Sequence, residues 1–351
     1  MLTIDDELYD FVSDILIAMA STQQARTIVV LGATGNQGRG VVRALLQKTS
    51  PAFHVRAVTR DIEGSSAKRL VSEFGSTDRL RLIKGDVYDG PSLHSAFKDA
   101  YGVFAVTQNR IAGGTVDTED DMKHELQAGR NIVDAAEACK IQHFVMSSLP
   151  NLTKASGRRF TKVYHFDYKH QIEQWARQRL PAVTALLPGL FYSNMLWPQY
   201  CRKEDDGTVR FCAPVPGDTL ADWVDPAYDI GIFAAEVFAA GPEKTKSKTY
   251  PVVSPKVRFS DFSDIFTKST STPSSFKSTT IDQWGDTVAA TVGEGYREDI
   301  KQMMQWIAEA PEERICYGTM DKDEDISWQD LGVKASTFEE WLTGTNWKGP
   351  E

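Results

Sequence analysis

The stretch Thr27-Ile28-Val29-Val30-Leu31, followed by Gly32-Ala33-Thr34-Gly35-Asn36-Gln37-Gly38, constrains this chain more than any other. The apolar run suits a buried strand, the glycines make a turn, and Val41, Val42, Ala44, Leu45 and Leu46 continue as a helix. That order leaves bare backbone N–H groups at a helix N-terminus, where a pyrophosphate accepts their hydrogen bonds. The spacing is Gly-x-x-Gly-x-x-Gly, one residue longer at its first gap than Gly-x-Gly-x-x-Gly. Three glycines alone make only a flexible turn. The strand before and the helix after them give the dinucleotide reading.

Behind this turn the chain alternates strand and helix. His54-Val55-Arg56-Ala57-Val58-Thr59 reads as a second strand, Leu80-Arg81-Leu82-Ile83-Lys84 as a third and Gly102-Val103-Phe104-Ala105-Val106 as a fourth. Glu125 to Cys139 has the helical period, and His143-Phe144-Val145-Met146 and Val183-Thr184-Ala185-Leu186-Leu187 complete six strands. Strands separated by helical patterns predict an α/β fold, a Rossmann-type doubly wound parallel sheet. We expect residues 21–190 to form the dinucleotide-binding domain. Residues 191–351 are expected to form a smaller C-terminal substrate-side lobe, interleaved with the main sheet. Lys268 to Thr280, rich in Ser and Thr around Pro273, reads as a loop.

A chain of 351 residues can bury one large core, or a main domain with an appendage. Its formal net charge of -9 leaves no phosphate-neutralising excess, which argues against nucleic acid as a partner of the whole chain. The four cysteines, Cys139, Cys201, Cys212 and Cys316, show neither a CxxC pair nor a zinc spacing, so free thiols in a reducing compartment are expected. The six histidines form no HExxH or other metal pattern, and no metal is expected. No apolar run approaches the roughly 20 residues of a membrane helix. The expected location is cytoplasmic, with the nucleus open. In residues 1–20, Ile4, Leu8, Phe11, Val12, Ile15 and Leu16 suit one face of a helix, while five acids exclude a secretory signal. The segment reads either as a short extension before Met19 or as a docking helix.

The end of the second strand selects the nicotinamide cofactor. An acid there would hold the ribose 2′-hydroxyl and repel a 2′-phosphate. Here Thr59-Arg60 stands instead, and a guanidinium makes paired, charge-assisted bonds to phosphate. NADP(H) is therefore expected, although Asp61 follows directly.

The chain resembles the NmrA-like family of atypical short-chain dehydrogenases, from about Thr27 to Trp341. The resemblance rests on the glycine turn, Val58-Thr59-Arg60, Gly85-Asp86-Val87, the helix around Gln127 to Ala136 and His165-Phe166-Asp167-Tyr168-Lys169. It implies that Gly32, Thr34, Gly35, Asn36, Gln37 and Gly38 form the phosphate turn and that Arg60, next to Thr59, takes the 2′-phosphate. It further implies that Asp86 and Val87 flank adenine and that Thr107, Gln108 and Asn109 approach the ribose. Pro188, Phe191, Tyr192, Ser193 and Asn194 would lie beside the nicotinamide. The family contains both reductases and regulators.

The catalytic question turns on Lys169. Short-chain dehydrogenases use Tyr-x-x-x-Lys on one helix face, where the ammonium lowers the tyrosine pKa and the phenol transfers a proton. Here His165 stands four before Lys169. Tyr164 and Tyr168 are rotated about 140° and about 100° from it. Lys169 can still bind the nicotinamide ribose. His165 is open to a proton-donor role or a structural one. Ser147, after the fifth strand, matches a substrate-polarising serine or simply a local backbone partner.

Two functions remain. One is an NADPH-dependent reductase of a small, fairly apolar carbonyl, imine or conjugated alkene, with Phe191, Tyr192, Trp197 and Tyr200 as pocket walls. The other is a non-catalytic NADP(H) sensor acting through a protein partner. Residues 1–20 and 268–280 would be its candidate contact surfaces.

Overall fold

A computed structural model describes residues 25–350 apart from 76, 109 and 112. The expectations for residues 1–20 and for Asn109 lie outside the described residues. The first half contains β1 (Arg26–Val30), α1 (Asn36–Gln47), β2 (Phe53–Thr59), α2 (Ser65–Phe74) and β3 (Leu80–Lys84). It continues through α3 (Gly90–Phe97), β4 (Gly102–Ala105), α4 (His124–Ala138), β5 (His143–Ser147), α5 (Tyr164–Arg179) and β6 (Val183–Pro188). Beyond these come β7 (Cys201–Lys203), β8 (Val209–Ala213), α6 (Asp229–Ala240), β9 (Thr249–Val252) and α7 (Asp261–Thr270). The chain then forms β10 (Ser274–Ser278), α8 (Ile281–Val292), α9 (Arg297–Glu309) and α10 (Phe338–Thr345).

The seven-stranded sheet runs β9-β6-β5-β4-β1-β2-β3, with every neighbouring pair parallel. Successive side chains of a strand point to opposite faces. Ile28 and Val30 therefore pack with Val41, Leu45, Phe233 and Phe238 of α1 and α6. Val29 and Leu31 pack on the other side with Leu93, Phe97, Ile132 and Ile172 of α3, α4 and α5. Burial on both faces explains why these strands read as continuous apolar runs. The strand order reverses between β1 and β4, and the crevice beyond their carboxyl ends is where such a sheet takes ligands.

The C-terminal half returns to this sheet through β9, which pairs with β6 from Thr249 to Val252. The rest builds a lobe with its own aromatic core, including Phe211, Trp223, Phe262, Trp284, Phe338 and Trp341. Residues 268–280 are not a loop. They hold the end of α7 and the edge strand β10, which pairs in parallel with β8 from Ser274↔Val209 to Ser278↔Ala213. Pro273 sits just before the strand, where its missing N–H costs no ladder bond, and its carbonyl accepts from Val209 N–H at 2.9 Å. No described helix is long and apolar enough to cross a membrane.

Candidate functional site

The glycine turn is built from close approaches. Gly32 has φ +61°, a left-handed conformation that favours glycine, and its carbonyl accepts from Gly35 N–H at 2.9 Å. A Cβ on Gly38 would stand 2.2 Å from the Gly32 carbonyl oxygen, so the first turn of α1 rests directly on the turn. Asn36, Gln37 and Gly38 occupy that first turn, where backbone N–H groups lack intrahelical acceptors.

Two adjoining cavities meet over this turn and share Gly32, Gly35, Val106, Gln108 and Arg110 as walls. The first, about 430 Å³, runs from Thr34 past Thr59, Arg60, Gly64 and Ser65 to Asp86, Val87 and Tyr88. Arg60 is exposed at its edge. Asp61 turns its carboxylate back on its own loop, accepting Glu63 N–H at 3.0 Å. Asp86 likewise accepts Tyr88 N–H at 3.0 Å.

The second cavity, about 360 Å³, contains Asn36, Gln37, Gly38, Thr107, Ser147, His165, Lys169, Pro188, Phe191 and Asn194 in its wall. Its far side is aromatic and comes largely from the C-terminal lobe: Trp197, Tyr200, Trp284, Tyr296 and Tyr317. Tyr192 is not among them. It is fully buried, stacked with Trp223, and its hydroxyl meets Ser254 Oγ at 2.8 Å. The polypeptide alternates sides here, so Phe191 faces the cavity while Tyr192 enters the lobe core. Ser193 lines neither cavity.

Helix α5 carries the polar wall. Asp167 ties its first turn to the segment after β5, accepting the Leu152 N–H at 2.8 Å. Lys169 is nearly buried, and its Nζ pairs with Glu125 Oε1, which also accepts from Thr107 Oγ1 at 2.5 Å. His165 Nδ1 pairs with Asp299 of α9, which also takes the His165 backbone N–H at 3.0 Å. Ser147 is 2 % exposed at the cavity, and its hydroxyl has no hydrogen-bond partner among the described residues. Tyr164 turns away to Glu119 at 2.7 Å, with burial and that carboxylate raising its pKa. Tyr168 stacks beside it, and neither tyrosine lines the cavity.

The model of the NmrA-like family matches residues 24–342. The chain belongs to that family. It is 25% identical over 340 residues, 90% of this chain and 96% of the relative, to the NmrA-like family domain-containing oxidoreductase malD of Malbranchea aurantiaca. It is 26% identical over 228 residues to the nitrogen metabolite repression protein nmrA of Emericella nidulans, covering 63% of this chain and 59% of that one. Among solved structures it is similar to NmrA in complex with NADP, at TM-score 0.69 and 21% identity over 91% of this chain and 94% of that chain. The NADPH-dependent quinone oxidoreductase QOR2 of Escherichia coli, complexed with NADPH, gives TM-score 0.66 and 16% identity over 91% and 99%.

Family words in the sequence pointed to α5 but not to its partners. Glu125 and Asp299 are each 0 % exposed and come from 44 and 134 residues away, so no local spacing announces them. Arg110 was equally silent. Its guanidinium lies 3.7 Å from the Trp197 ring centroid. It has no carboxylate partner among the described residues and lines both cavities.

Proposed function

We propose that this chain is an NADPH-dependent reductase of a small, fairly apolar carbonyl, imine or conjugated alkene. The observation that supports it is the continuity of the site. A groove over a bare glycine turn opens into an aromatic cavity whose polar wall is Ser147, His165 and Lys169. The residues fit a dinucleotide, because the first turn of α1 borders the cavity with no side chain capping its N–H groups. The Asn36, Gln37 and Gly38 N–H groups would hold its pyrophosphate and Arg60 its 2′-phosphate. Thr107 and Lys169 would hold the nicotinamide ribose, with Pro188, Phe191 and Asn194 beside the ring. The bound cofactor supplies hydride. Oxidoreductase relatives and the NADP(H)-bound neighbours support this reading.

In it, the aromatic walls exclude water and hold a flat apolar substrate against the cofactor end of the cavity. Ser147 offers its hydroxyl to the polarised heteroatom. Lys169, charge-balanced by Glu125, stays fixed on the helix face that meets the groove. The regulator relative supports a second reading, in which NADP(H) occupancy biases contact with a protein partner and no turnover occurs.

A screen for substrate-dependent NADPH oxidation separates the two. Lys169→Ala is expected to abolish turnover, because the nicotinamide end loses its anchor, and to weaken NADPH binding only in part, because the glycine turn and Arg60 still hold the phosphates. Tight NADPH binding with no turnover on any carbonyl, imine or enone would sink the reductase reading and leave the sensor.

A further inference from the structure

His165 and Lys169 lie four residues apart on one face of α5, and each is held by a buried carboxylate from a different part of the chain. Glu125 reaches Lys169 from α4, within the sheet domain. Asp299 reaches His165 from the first turn of α9, within the aromatic lobe. Asp299 grips its histidine at both the backbone N–H and Nδ1. A carboxylate on Nδ1 fixes the ring and keeps a proton on that nitrogen, which leaves Nε2 as the working atom. His165 lines the cavity, and its Nε2 has no hydrogen-bond partner among the described residues. Lys169 Nζ, by contrast, gives one of its three N–H bonds to Glu125 and, in the reductase reading, turns the others to the nicotinamide ribose.

We infer that Asp299 is a positioning residue that presents His165 Nε2 to the substrate as the proton donor, so that Lys169 need not be one. This rests on the reductase reading. Bound NADPH would supply hydride to the carbonyl or imine carbon, and the π electrons would move onto the heteroatom. That heteroatom takes the Nε2 proton, leaving an alcohol or amine, NADP⁺ and a neutral imidazole. The imidazole regains its proton from water. Asp299 keeps its charge throughout and offsets that of the doubly protonated ring. The charged and titratable groups around His165 are Asp299, Lys169 and the Tyr296 phenol, whose ring centroid is 5.7 Å away. Glu125 and Arg110 act on Tyr296 in turn.

The test uses the full chain with NADPH, and phenanthrenequinone and dihydroisoquinoline as probes. Heavy-nitrogen labelling of histidine reads the ring tautomer without any turnover. We expect the His165 proton on Nδ1 in the wild type and displaced from it in Asp299→Asn. His165→Gln and Asp299→Asn should each lower kcat roughly a hundredfold, the size typical of a lost general acid. NADPH affinity should stay unchanged, and Asp299→Glu should recover part of the rate. A neutral wild-type ring whose single proton sits on Nε2 with Nδ1 bare, or undiminished turnover in both variants, would overturn the inference. Absence of turnover on both probes overturns the reductase reading and the donor step with it, while the tautomer still decides the Asp299–His165 pairing.

Discussion

Arg60 and Lys169 show how differently single residues can be read. Arg60 stands directly after β2, and its neighbours Gly64, Ser65 and Ser66 form a cup at the end of the first cavity. It forms no ion pair among the described residues, and the neighbouring Asp61 instead accepts Glu63 N–H. A charged hydrogen bond of this kind contributes about 1.5–3 kcal/mol. Arg60→Ala should therefore weaken NADPH binding roughly tenfold to a hundredfold and leave NADH nearly unaffected. Fluorescence titration with both cofactors decides it, and equal losses would count against the 2′-phosphate contact. The place of this residue at the cavity was legible because it follows directly from the end of the strand. The environment of Lys169 was not legible. The sequence shows a lysine without its tyrosine, while Glu125 holds it and Thr107 in turn donates to Glu125, both from distant parts of the chain.

At the scale of elements, the site depends on how closely α5 approaches its neighbours. Gly129 of α4 lets the two helices meet: a Cβ there would lie 2.3 Å from Ile172 Cγ1, in the buried face of α5. Gly129→Ala should cost about 1–3 kcal/mol by overpacking. It should also push α5 outward, lowering turnover more than NADPH affinity, because Lys169 lies one turn from Ile172. Thermal unfolding and steady-state kinetics measure the two effects, and adding Ile172→Val should return part of the stability. If the single variant unfolds at the wild-type temperature, the close approach is not limiting. Gly40 and Gly231 make a similar crossing between α1 and α6, where a Cβ on Gly231 would meet the Gly40 carbonyl oxygen at 2.3 Å. Periodicity revealed α1 and α4 and the strands of the sheet up to β6, but not α6. It missed β9, which contains Pro251, and it mistook β10 for a loop. In β10 only Phe276 is a large apolar residue. What makes it a strand is pairing with β8, and a sequence window contains no partner strand.

For the whole molecule, packing decides charge as well as shape. His143 begins β5 and is fully buried, with Nε2 at 3.0 Å from Thr245 Oγ1 and its ring against Phe238. Burial first, and the Arg26 charge second, lower its pKa from 6.5 to about 4. The folded chain thus binds this proton less readily than the unfolded chain does. Its contribution to stability is complete above pH 6.5 and is lost as the pH falls toward about 4. The melting temperature of His143→Gln should accordingly change less than that of the wild type across this window. Equal slopes for the two proteins would refute the assignment. The same packing joins the lobes at the site, since the sheet domain supplies the glycine turn, Glu125 and α5, and the C-terminal half supplies Asp299 and most of the aromatic wall.

The sequence by itself determined the parallel sheet, the glycine turn at its switch point and the arginine beyond β2. Each of these follows from contacts between near neighbours: alternation along a strand, the helical period, and a turn only glycines can make. Only the tertiary structure decided that Tyr192 belongs to the core, that residues 268–280 hold an edge strand, and that two buried acids hold Lys169 and His165. Those facts depend on which distant surfaces fill one another, and burial of a charge is worth its desolvation only where a partner is already in place.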